Sequence, residues 1–151
     1  MTSDQAAPPQ RITAAVAFIA LGPFAFGYFL SYFFRAVNAV VAPDLTRELG
    51  IGPAELGLLT AAYLGAFALF QLPLGVLLDR YGPRRVQSVL LTIAAAGALL
   101  FGLAEDAQTL TTARALIGLG FAGGLMAGFK AVVIWVSPAR RPLANAIVMS
   151  A

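Results

Sequence analysis

Residues 75–85 read Gly-Val-Leu-Leu-Asp-Arg-Tyr-Gly-Pro-Arg-Arg and separate two long apolar stretches, residues 56–78 and 86–104. The connection itself, residues 79–85, holds three arginines and one aspartate. Its Gly-Pro pair favours a tight turn. A helix of roughly 20 apolar residues crosses a hydrocarbon core of ~30 Å. The segment therefore predicts two transmembrane helices joined by a short, basic turn.

The same pattern of apolar stretches continues on both sides of this hairpin. We predict helices over residues 12–42, 56–78, 86–104 and 115–136, with a fifth begun over residues 143–151. The fifth is too short to cross a bilayer, so we expect the chain to be part of a longer protein. A signal peptide is the alternative for the first stretch, but such apolar regions have only ~7 to 15 residues. Residues 1–11 are polar and are expected to form a disordered tail.

The composition excludes most soluble functions. Hydrophobic residues make up 60% of the 151 residues and charged residues 11%, whereas soluble domains carry about a quarter charged residues. The chain contains no cysteine or histidine, which removes disulfides, thiolate chemistry and the usual general base. We therefore expect an integral membrane protein that contacts the lipid bilayer and is not an enzyme. We also expect no metal, no cofactor and no nucleic-acid partner.

The loop charges predict how the chain threads the membrane. Residues 79–85 and 137–145 are basic, whereas residues 43–55 and 105–106 are acidic. Basic loops face the cytoplasm. This rule places the amino terminus and the two basic connections in the cytoplasm, and the short loops favour a bacterial inner membrane.

The basic turn carries a family resemblance. Its glycines, aspartate and arginines resemble the G-x-x-x-D-R-x-G-R-[RK] signature of the major facilitator superfamily, with Pro83 as the one departure. The resemblance implies an all-α membrane protein, here four transmembrane helices and the start of a fifth. These would belong to the six-helix amino-terminal bundle of a twelve-helix transporter.

In that family the charged turn stabilises one conformation by linking the two halves of the transporter. Gly75 and Asp79 share a helix face, so we expect the glycine to permit close helix approach beneath the carboxylate. The alternative is that the arginines only set topology. The predicted gate residues are Gly75, Asp79, Arg80, Gly82, Arg84, Arg85 and Arg114.

Arg114 begins a second, weaker resemblance, because it is followed by Gly118 and Gly120 as in the family's R-x-x-x-G-x-G pattern. Small residues recur at every fourth position from Gly120 to Gly128, and such spacing is typical of close helix packing in lipid. The second helix has a similar repeat. Its members are Gly57, Ala61 and Gly65.

Arg35 and Lys130 are the cations predicted to lie within apolar stretches. Tyr32, Arg35 and Asn38 follow at spacing i, i+3 and i+6 on one helical face. The first two resemble the Y-x-x-R element of organic-anion and organophosphate carriers of the superfamily, which implies that Arg35 contacts substrate. The alternative is that Arg35 snorkels to the outer interface.

Lys130 has the same two interpretations, a substrate contact or a side chain that reaches the cytoplasmic surface. Gln71 and Tyr63 either line the cavity that would hold the substrate or form hydrogen bonds between helices. We predict substrate contacts at Arg35, Tyr32, Asn38, Lys130 and Gln71.

These residues favour a secondary transporter of a small organic anion that works by alternating access. Its partners would be the bilayer, the solute and the carboxy-terminal half of the transporter. A non-transporting membrane sensor or accessory subunit with the same architecture is the alternative, since a fold does not by itself establish activity. A membrane enzyme is disfavoured, because the spans lack a nucleophile, a base and an orienting group at workable spacing.

Overall fold

The computed structural model describes residues 14–149, with side chains from residue 21 onward, and every element in this part of the chain is helical. The elements are α1 (Ala14–Leu49), α2 (Pro53–Tyr81), α3 (Pro83–Gly102), α4 (Ala107–Phe121), α5 (Gly124–Trp135), a 3-10 turn (Pro138–Arg140) and α6 (Arg141–Met149). Four stretches are long and apolar enough to cross a membrane: Leu21–Leu49, Pro53–Tyr81, Pro83–Gly102 and Ala107–Trp135. The predicted fold class is confirmed. The predicted tail, residues 1–11, lies outside the described residues.

The helices run beyond the apolar stretches that predicted them. α1 continues through Pro43 to Leu49, and α4 begins at Ala107 rather than at residue 115. Hydrophobicity marks only the lipid-crossing part of a helix, whereas backbone hydrogen bonding continues wherever the end is capped. At the start of α4 the cap is Asp106, whose carboxylate accepts the Thr109 amide at 2.8 Å.

Gly82 forms the predicted turn between α2 and α3. Its φ is +79°, a left-handed conformation that favours glycine. The Gly82 amide donates to the Leu78 carbonyl at 3.1 Å, which closes α2. Pro83 then starts α3, where its fixed φ suits the first helical position.

The fourth span packs on different partners along its length. α4 lies against α2 and α3, whereas α5 lies mainly against α1, α3 and α6. The predicted glycine repeat is confirmed as a packing surface: a Cβ at Gly120 would approach the Ala94 amide at 2.5 Å, and one at Gly128 would approach Val148 at 3.0 Å. The predicted repeat in α2 is not used within the described residues, because Gly57 and Gly65 have no neighbour within 4 Å.

A break at Ala122 and Gly123 separates α4 from α5. The Gln71 side chain donates to the Ala122 carbonyl at 3.1 Å. A Cβ at Gly123 would lie 2.5 Å from the Leu90 side chain of α3, so a larger residue there would require that side chain to move. Unsatisfied backbone groups are costly in lipid, and a side chain from a neighbouring helix relieves that cost. Both residues keep right-handed helical dihedrals, so α4 and α5 follow each other within one candidate span, Ala107–Trp135.

The Asp106 cap makes a testable contribution to stability. Hydrogen bonds from the side chain and the backbone of Thr109 hold the pKa of Asp106 below its usual value. A lowered folded pKa stabilises the protein at neutral pH, and this stabilisation is lost as the pH falls through the folded pKa. We expect Asp106→Ala to lower the melting temperature in detergent by about 2–4 °C at pH 7. Glu105→Ala is the matched control, and equal losses in both variants would contradict the cap.

Candidate functional site

Arg35 lies in the middle of the helix pair formed by α1 and α2. Its guanidinium carbon is 4.8 Å from the centre of the Phe67 ring, and Phe67 lies midway along the 29 residues of α2. The same carbon is 5.2 Å from the centre of the Tyr32 ring. The charge therefore sits near the mid-depth of the span rather than at its end.

The Arg35 guanidinium has no ionic partner among residues 21–149. The ion pairs in this part of the chain join Arg47 to Asp44 and Lys130 to Asp79. Arg35 is also exposed, and no hydrogen bond to it is formed within the described residues. Its five N–H donors are thus available, and their fork geometry matches two oxygens of one anion.

The other two residues of the predicted face differ in what they contact. Tyr32 accepts a hydrogen bond from the Tyr28 hydroxyl at 3.1 Å, so its own proton remains available beside Arg35. Asn38 donates to Thr60 of α2 at 2.8 Å. The structure therefore brings Tyr32 and Arg35 together, whereas the Asn38 amide ties α1 to α2.

Arg114 lies apart from the other predicted gate residues, at the opposite end of the bundle from the Gly82 turn. It is 2% exposed, and one of its terminal nitrogens donates to the Phe34 carbonyl at 2.9 Å. Its guanidinium carbon lies 4.5 Å from the centre of the Phe101 ring. Arg114 lies about two turns inside α4 and is a third cation within a candidate membrane helix. Sequence reasoning placed it outside the span, although the Asp106 cap signals the earlier helix start.

Asp79 is paired with Lys130 of α5. The arginines of the turn, Arg80, Arg84 and Arg85, are exposed and form no ion pair within residues 21–149. The predicted charged turn therefore exists, but its carboxylate contacts a lysine from another helix. No sequence pattern links positions 79 and 130, and only the packing of α2 near α5 brings them together.

A pocket of about 280 Å³ opens where α2 and α5 diverge. Its lining residues are Gln71, Leu74, Gly75, Leu78, Asp79, Met126 and Lys130. Among the described residues no helix approaches Gly75 closely, because nothing lies within 4 Å of a Cβ built there. Gly75 instead keeps the pocket wall open.

Gln71 lines this pocket and also forms the hydrogen bond between helices that was one of its two predicted roles. Its amide nitrogen is bonded to Ala122, whereas its amide oxygen is buried without a hydrogen-bond partner. The Tyr63 hydroxyl donates to the Ser31 carbonyl at 3.3 Å and thus joins α2 to α1. Within the residues described, no group of three or more acidic side chains forms a metal site.

Comparison with known families agrees with this architecture. Residues 24–151 match the family model of the Major Facilitator Superfamily. The chain belongs to the major facilitator superfamily. It is therefore an integral membrane protein, and the charged turn that ends α2 lies where the superfamily signature was expected.

Several bacterial members of the superfamily are similar to the chain. It is 36% identical to the uncharacterized transporter YybO of Bacillus subtilis over 81% of the chain and 28% of that protein. It is 31% identical to the probable sulfoacetate transporter SauU of Cupriavidus necator, over 86% of the chain and 30% of that protein. It is also 31% identical to the nitrate/nitrite transporter NrtP of Nostoc punctiforme, over 81% of the chain and 24% of that protein. The chain thus spans less than a third of the length of these superfamily members.

Proposed function

We propose that the chain is the amino-terminal part of a secondary transporter that moves a small anion by alternating access. The observation that supports this most directly is the Arg35 guanidinium near the middle of a membrane span, which has no ionic partner among residues 21–149. A cation at the centre of a helix costs about 2.5–3.5 kcal/mol to insert. Cation–π contacts return only about 0.5–2 kcal/mol. A charge retained there without a carboxylate is well suited to binding an anion.

The chemistry of Arg35 and its surroundings suits a small oxyanion. A guanidinium binds two oxygens of a carboxylate, sulfonate or nitrate group at once, and the Tyr32 hydroxyl adds a third donor. Two relatives are named for sulfoacetate and for nitrate or nitrite, which are oxyanions of this kind. We infer that the transported solute is an anion of this class, with Asn38 at the edge of the site.

We further propose that the Gly82 turn faces the cytoplasm and belongs to the gate. The basic residues of the turn favour that side under the positive-inside rule. Arg80, Arg84 and Arg85 are exposed and available to a second helical bundle. Lys130 and Gln71 line the pocket at this same end. An anion leaving Arg35 would meet them next on its way to the cytoplasm.

Uptake into proteoliposomes tests this function. The full-length protein that contains this chain would be reconstituted and offered labelled sulfoacetate, nitrate, glucose and choline. We expect saturable uptake of one of the anions and none of glucose or choline, relative to protein-free liposomes. Equal uptake of the neutral or cationic solutes would contradict an anion site. No uptake by a folded, correctly inserted protein would favour a sensor or accessory subunit.

A further inference from the structure

Lys130 and Asp79 neutralise each other across the opening between α5 and α2. Asp79 lies in the last turn of α2, where the helix carbonyls disfavour a carboxylate. Lys130 lies about one and a half turns before the end of α5, within an apolar span. Each charge thus gains from the other. The side chain of Lys130 is 30% exposed and that of Asp79 is 71% exposed, so neither is sealed from a ligand.

The pocket beside this pair has room for a small anion. A water molecule occupies about 30 Å³ in the liquid, so about 280 Å³ would hold several waters or one small organic anion. The amide nitrogen of Gln71, at one side of the pocket, already donates a hydrogen bond to the Ala122 carbonyl. Among the residues that line the pocket, Lys130 is the one cation. An anion that enters must therefore compete with Asp79 for it.

We propose that Lys130 is shared between Asp79 and the transported anion. When the pocket is empty, Lys130 pairs with Asp79 across the opening between α5 and α2. When an anion binds, its oxygens take the ammonium group, and the Asp79 carboxylate is released toward the arginines of the turn. This inference rests on the proposed function. It adds that binding of the anion itself changes which charged groups of the gate are paired.

If Asp79 and the anion compete for Lys130, replacing Asp79 and replacing Lys130 should change the affinity for the anion in opposite directions. We expect Asp79→Asn to tighten the binding of the probe anion about three- to tenfold, because Lys130 is then free. Lys130→Met should weaken binding about tenfold or more. In the double variant, Asp79→Asn should bring no further tightening. The dissociation constant would be measured on the purified full-length protein with labelled sulfoacetate or nitrate, whichever the parent binds.

Matched variants separate this effect from net charge and from misfolding. Glu105→Gln removes a distant acid, and Arg47→Met removes an exposed cation on α1. Both should bind like the parent. Lys130→Arg keeps a cation and should stay within a fewfold of the parent. Each variant would be checked by size-exclusion chromatography and melting temperature, and if Lys130→Met does not fold, the sign of the Asp79→Asn effect decides alone.

Three results would overturn the proposal. The first is that Asp79→Asn weakens binding or leaves it unchanged, as expected for a purely structural pair. The second is that Asp79→Asn tightens binding equally when Lys130 is absent. If the parent binds an anion through Arg35 and either result is found, the proposed function stands and only the shared lysine is wrong. The third is that the parent binds neither anion, which would contradict both the proposed function and the shared lysine.

Discussion

Replacing Arg35 with lysine is expected to lower the transport efficiency, kcat/KM, for the anion about 10- to 100-fold. The lysine keeps the charge but cannot offer two parallel N–H donors, and its compact ammonium group is more strongly hydrated. It would also weaken the cation–π contact with Phe67 at mid-span. Losing one hydrogen bond to a charged group costs about 1.5–3 kcal/mol, which corresponds to roughly 10- to 150-fold in affinity.

Arg47→Lys is the matched control for this change, because Arg47 lies on the same helix but pairs with Asp44 at its exposed end. The control should transport at the parental rate. Initial rates in proteoliposomes would be measured for both variants after matching their orientation and quantity. Parental kinetics in the Arg35→Lys protein would show that the guanidinium does not bind the solute. The anion proposal would then lose its main support.

Replacing Gly118 with valine is expected to prevent stable assembly of the bundle. A Cβ at this position would overlap the Tyr63 carbonyl oxygen, which belongs to the backbone of α2 and cannot rotate away. Overpacking a well-packed interior usually costs about 1–3 kcal/mol, and a clash with backbone falls at or above the upper end. Such a loss is a large part of the total stability of a typical domain.

Thermal unfolding and the monodisperse fraction in detergent would measure this effect. Gly65→Val is the matched control, because Gly65 also lies in a membrane helix and nothing lies within 4 Å of its Cβ position. We expect the control to retain the parental melting temperature within a few degrees. Similar behaviour of the two variants would mean that α2 and α4 do not approach as closely as the structure has them.

Much of the architecture could be predicted from local sequence. Four spans, the turn at Gly82 and the charged signature around Asp79 each depend on neighbouring residues, so a short window contains the necessary information. The same holds for Arg35, whose position inside an apolar stretch marks it as a candidate. The location of Arg114 was missed because its helix starts with polar residues that resemble a loop.

Hydropathy and turn chemistry by themselves determined that this chain belongs in a membrane, which four of the described stretches can span it and where the Gly82 turn lies, because lipid imposes those demands on each segment separately. The tertiary structure alone decided that Arg35 lies over Phe67, that Lys130 holds Asp79 and that a pocket separates α2 from α5. These features depend on which helix surfaces meet. α4 packs closely on α2, whereas α5 contacts it little, and no single segment of the sequence specifies that difference.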